Sequence, residues 1–122
     1  MKRPLKTEDL EKVLIAKTII ETEFHKRYTL ADLSHHVGSN EFKMKIGFRY
    51  LTQMTFHEFL TFIRIEKAKE YLETSDIPIK VIAFRIGLDR TNFAKCFKKL
   101  TGTTPTAWRN RPDGQRTFEQ EL

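Results

Sequence analysis

The chain has 122 residues, 39% of them hydrophobic, and a formal net charge of +6. That size suits one compact unit, or two small ones sharing a helix, and the apolar content argues against wholesale disorder. The charge calls for an anionic partner; the single cysteine, Cys96, excludes an internal disulfide and a cysteine-based zinc site; and no signal peptide or long apolar run is seen, so a cytoplasmic protein without membrane contact is expected.

The first predicted helix covers residues 7–25, with Leu14, Ile15, Thr18 and Ile19 as its apolar side. Thr29 then caps a second helix, with Asp32 in the capping-box position, and Gly38 closes it. Asn40 caps a third helix that runs to about Leu51. Residues 56–73 hold neither glycine nor proline and carry Leu60, Phe62, Ile63, Ile65, Ala68 and Leu72 on more than one side. This pattern suits a connector packed on two sides, roughly 27 Å long at ~1.5 Å per residue. Ser75 or Asp76 opens the next unit, with Pro78 early in the fifth helix and Gly87 closing it. Asp89 caps a sixth helix that ends before Gly102, and Thr104-Pro105 opens a short last helix containing Trp108. The expected architecture is all-α with about seven helices. Its parts are residues 1–55, a linker helix 56–74, residues 75–109 and a polar, loose tail 110–122.

The chain repeats itself at an offset of 49 residues. Leu30, Leu33, Ser34 and Val37 fall on Ile79, Ile82, Ala83 and Ile86; Gly38 falls on Gly87, Met44 on Phe93, Phe48 on Phe97 and Phe59 on Trp108. Each copy is a short striped helix, a glycine turn, a longer helix ending in basic residues, and a Thr-rich turn. That is a helix-turn-helix pattern present twice. The inward stripe of the third helix is Met44, Phe48 and Leu51, which leaves Phe42, Lys45, Ile46 and Arg49 on the other side. In the sixth, Phe93, Cys96, Phe97 and Leu100 point inward; Arg90, Thr91, Asn92, Ala94, Lys95 and Lys98 point out. Between residues 80 and 111 Asp89 is the only acid among Lys80, Arg85, Arg90, Lys95, Lys98, Lys99, Arg109 and Arg111, a one-signed run suited to phosphate neutralisation.

The stretches TLADLSHHVGSNEFKMKIGFRYL, FLTFIRIEKAKEYLETSDIPIKVIAFRIGL and NFAKCFKKLTGTTPTAWR carry a resemblance to the DNA-binding domain of AraC/XylS-type transcription regulators, covering residues 21–109. The resemblance implies two helix-turn-helix subdomains, each placing a recognition helix in a major groove of double-stranded DNA, with RNA polymerase as a further partner. It implies base reading by Phe42, Lys45 and Ile46 in the first helix, and by Arg90, Thr91, Asn92 and Lys95 in the second. The chemistry agrees: Lys45 and Arg90 can donate to guanine, Asn92 suits adenine, and apolar side chains meet thymine methyls. Arg49, Lys98 and Lys99 are expected on the DNA backbone, as are the helix starts near Thr29 and Pro78. Arg64 is expected to be structural. Two departures stand out: the turn from Gly87 to Phe93 reads one residue shorter than the family's spacing, and the N-terminal effector or dimerisation domain of many members is not in this sequence.

Blander readings stand beside these. Phe42 and Ile46 could pack on another domain, Thr91 and Asn92 could merely start a helix, and the whole could be a helical protein-interaction module without specific DNA reading. Adjacent His35 and His36 point apart on a helix and make a poor metal pair, so no metal or other cofactor is expected. No paired carboxylates, nucleophile–base set or phosphate loop suggests an enzyme.

Overall fold

The computed structural model describes residues 4–111. Among them are seven helices and no strand: α1 (Thr7–Thr22), α2 (Leu30–His36), α3 (Glu41–Thr52), α4 (Phe56–Thr74), α5 (Ile79–Arg85), α6 (Arg90–Thr101) and α7 (Pro105–Arg109). The expected all-α, seven-helix class is what is found. By packing, the chain divides into Met1–Ile63 and Arg64–Leu122, the boundary falling inside α4. Most of the polar tail expected from residue 110 lies outside the described residues.

Four helix starts follow the local chemistry of their caps. The side chains of Thr29, Asn40, Asp89 and Thr104 accept from the backbone N–H of Asp32, Lys43, Asn92 and Ala107. Pro78 precedes α5 as its cap residue rather than lying within the helix. At α4 a full capping box forms: Thr55 Oγ1 accepts from Glu58 N–H at 3.1 Å, and Glu58 Oε1 accepts from Thr55 N–H at 2.8 Å.

The glycine turns repeat down to their hydrogen bonds. Gly38 and Gly87 take φ of 75° and 83°. After them the N–H of Ser39 donates to Ser34 O at 2.8 Å, and that of Leu88 to Ala83 O at 2.9 Å, the closing bond of a Schellman motif in each unit. The two turns are therefore of equal length, and α3 and α6 each run 12 residues from an equivalent cap.

In the first unit the core is Val13, Ala16, Ile20, Leu33, Met44, Phe48, Phe56, Phe59 and Leu60. Phe48 sits 5.9 Å in ring separation from both Phe56 and Phe59. The buried side of α1 is Leu10, Val13, Ala16 and Ile20; Leu14 and Ile15, expected inside, are about half exposed. Apolar and charged residues are both spread around this helix, so its own period does not choose a side. The buried side meets α3, where Gly47 has no side chain and Val13 fills the space its Cβ would take. The helix stops at Thr22, three residues before the expected end, where Glu23 and Lys26 pair across the following turn.

In the second unit the buried side chains are Ile65, Ala68, Leu72, Ile82, Ala83, Ile86, Phe93 and Phe97, with Arg64 also buried. Phe97 meets Phe93 at 5.7 Å and Trp108 at 5.6 Å. Leu100, expected inward, is 49% exposed because it lies in the last turn of α6, beyond the Phe93–Phe97 core positions. Phe62, counted with the connector's packing residues, is also exposed.

Candidate nucleic-acid interface

Each unit presents one outward ridge on its longer helix. On α3 the ridge is Phe42, Lys45, Ile46 and Arg49, spaced as one helical face. Phe42 is 71% exposed, Lys45 and Arg49 are exposed, and Ile46 is half-buried. The same offset of 49 maps these onto Thr91, Ala94, Lys95 and Lys98 of α6, all exposed. Arg90 and Asn92 lie on either flank of that ridge and Lys99 lies beside Asn92; all three are exposed. The structure thus gathers each set of expected base-reading and backbone residues on one helix of its unit. Ala94, the counterpart of Lys45, belongs to the ridge although it was not among the expected readers.

Neighbouring groups constrain several of these side chains. Arg49 donates to Gln53 O at 3.3 Å and lies 4.0 Å from Glu58 Oε1, an exposed and weak pair. Asn92 holds Asp89 through both its backbone and its side chain, at 2.8 and 2.7 Å. The Asn92 backbone N–H is the largest cause holding the Asp89 carboxyl below the usual carboxylate range. Asn92 therefore does serve as a helix-start residue, with one N–H of its carboxamide held by the cap. Lys43, on the flank of α3, turns away and pairs with Asp9 of α1 at 3.1 Å.

The basic run of the second unit is not uniform. Lys80, Arg85, Arg90, Lys95, Lys98 and Lys99 are exposed. Arg111 is not available in the same way: it stacks 3.7 Å over the Trp108 ring and donates to Glu73 at 3.1 Å. Trp108 Nε1 donates to the same Glu73 oxygen at 2.9 Å, so Arg111 belongs to a clamp between α4 and α7. Sequence spacing gave no sign of this clamp, since Glu73 and Trp108 are 35 residues apart. Among the described residues no His/Cys/Asp/Glu group is placed to hold a metal ion, and no helix is long and apolar enough to cross a membrane.

A helix-turn-helix domain family matches residues 33–111, through both turns and both ridges. The chain belongs to the AraC/XylS-type helix-turn-helix family. A helix-turn-helix transcriptional regulator of Staphylococcus aureus strain COL is 38% identical to this AraC-type domain over 95 residues, which are 76% of this chain and 13% of that protein. The chain thus spans about an eighth of the length of such relatives. Among solved structures, the C-terminal domain of AraT, a response regulator from Geobacillus stearothermophilus, superposes with a TM-score of 0.80 at 27% identity, covering 90% of this chain and 89% of that one. The DNA-binding domain of AdpA, solved with a target DNA, shares the fold with a TM-score of 0.77 at 24% identity, covering 89% of this chain and 96% of that one.

Proposed function

We propose that this AraC-type domain is the sequence-specific DNA-binding part of a transcription regulator, and that α3 and α6 enter successive major grooves of one duplex. The carrying observation is the pair of equivalent exposed ridges, Phe42/Lys45/Ile46/Arg49 and Thr91/Ala94/Lys95/Lys98, one on each unit. A recognition helix needs a solvent-facing row near its N-terminal half to reach base edges, with cations to meet phosphates. Lys45, Thr91 and Lys95 are the central readers in this account, Phe42 and Ile46 meet thymine methyls, and Arg90 and Asn92 read from the flanks. Arg49, Lys98 and Lys99 grip the backbone.

The same reading makes RNA polymerase the downstream partner and the cytoplasm the compartment. An effector or dimerisation domain elsewhere in the polypeptide, for which the greater length of the relatives leaves room, would couple a signal to binding. Binding to mixed duplex DNA across a salt series tests the proposal. Affinity should fall steeply with salt, as several counterions are released. Absence of duplex binding at low salt would leave a protein-interaction module of the same fold.

A further inference from the structure

We infer that a groove beside the first ridge seats the sugar–phosphate backbone of one DNA strand, and that His57 is a phosphate contact within it. This rests on the DNA-binding reading above and adds a residue that reading does not use. The groove has a volume of about 430 Å³ and is lined by Leu30 of α2, Lys45 and Arg49 of α3, and Thr55, Phe56 and His57 at the start of α4. All of these belong to the first unit.

Its floor is apolar, formed by half-buried Leu30 and buried Phe56, while Lys45, Arg49 and His57 are exposed at its rim. A nucleic-acid strand alternates apolar deoxyribose faces with anionic phosphates. An apolar floor under a cationic rim complements that alternation, and it adjoins the ridge assigned to the major groove. The His57 ring stands edge-on to the Phe56 ring at 5.1 Å, which limits where the imidazole can go.

The charged groups that line the groove with His57 are Lys45 and Arg49 from α3, and α2 contributes Leu30. Glu58 follows His57 in the chain and lies 4.0 Å from Arg49, and its Oε1 is engaged by the Thr55 N–H of the capping box. The remaining groups favour an anion. A ring N–H of His57 donates to a phosphate oxygen seated there.

The test measures affinity for a duplex over a salt series with the wild type, His57→Ala and His57→Lys. His57→Ala should bind all sequences several-fold more weakly. His57→Lys should bind more tightly than the alanine variant, with a salt slope steeper than that variant's by about 0.9. Site-resolved carbethoxylation adds a direct readout, with duplex DNA protecting His57. Unchanged affinity in His57→Ala and an unchanged salt slope in His57→Lys, while the wild type binds DNA, would overturn the groove contact alone. Protection of His57 by poly-glutamate but not by duplex DNA would assign the groove to an acidic protein and overturn it too. No wild-type binding to DNA under any condition would remove the broader reading, and this one with it.

Discussion

Asn92 donates both its backbone N–H and its carboxamide to the carboxylate of Asp89, at 2.8 and 2.7 Å, so a flank residue suited to adenine is held by the cap of its own helix. Two-point adenine reading uses one carboxamide N–H and the carboxamide oxygen, so the bond to Asp89 through the other N–H sets the orientation from which the side chain would read. The cap also places the only acid of residues 80–111 at the start of α6.

Asp89→Ser should therefore tighten DNA binding. Serine keeps the cap, frees the Asn92 carboxamide and removes a negative charge from the interface. Titration of labelled duplex should show higher affinity with the α6 helix intact by circular dichroism. In the wild type the Asp89 carboxyl is depressed, chiefly by the Asn92 N–H. Its contribution to the helix is thus present above the unfolded carboxylate range, near pH 4, and lost as pH falls through the lower folded value. The Asn92 amide resonance should report that loss during an acid titration.

Backbone and base contacts separate by how a substitution acts. Lys98→Ala or Lys99→Ala should weaken binding to all sequences alike and reduce the salt slope by about 0.9 each. Lys45→Ala or Lys95→Ala should instead relax preference at a few base pairs, at roughly 1–3 kcal/mol for a two-point contact. Competition with single-base variants of a bound duplex distinguishes the two patterns.

Gly47→Ala should destabilise the first unit, against the ordinary gain of about 1 kcal/mol from removing a mid-helix glycine. The added methyl would overlap the Val13 side chain across the α1–α3 contact, and overpacking of this kind costs about 1–3 kcal/mol. At the equivalent place in α6 stands Cys96, half-buried, and the residue of α4 that falls on Val13 is Phe62, which is exposed. The midpoint of urea unfolding measures the difference.

Gln53→Gly should raise stability. Gln53 closes α3 with φ of 63°, the left-handed conformation that Gly102 adopts at the same place after α6. Relieving a side chain there is worth roughly 1 kcal/mol. A higher urea midpoint with unchanged DNA affinity is the expected result.

The legible features of this chain are those whose physics is local. Caps at Thr29, Asn40, Asp89 and Thr104, the glycine turns, and the stripe Met44–Phe48 repeated as Phe93–Phe97 can all be read from a few neighbouring residues. What escaped depends on the partner surface. Leu14 and Ile15 are as apolar as Leu10 and Val13, and it is the latter pair that is buried, with Val13 in the space left by the missing side chain of Gly47. The Glu73–Trp108–Arg111 clamp joins residues far apart in sequence and removes one arginine from an otherwise plausible phosphate-binding run. Lys43 is likewise drawn off by Asp9, 34 positions away. In the ridges, the offset of 49 places Ala94 where Lys45 stands, and its methyl group carries no hydrogen-bonding group that marks the position in the sequence.

The central claim is that two reading helices on one chain act on one DNA. Selection of bound sequences from a random duplex pool tests it most directly. The account predicts an enriched site with two separated clusters of preferred base pairs. Lys45→Ala should erase preference in one cluster, and Lys95→Ala in the other. Enrichment of a single cluster, or of no sequence at all, would contradict it.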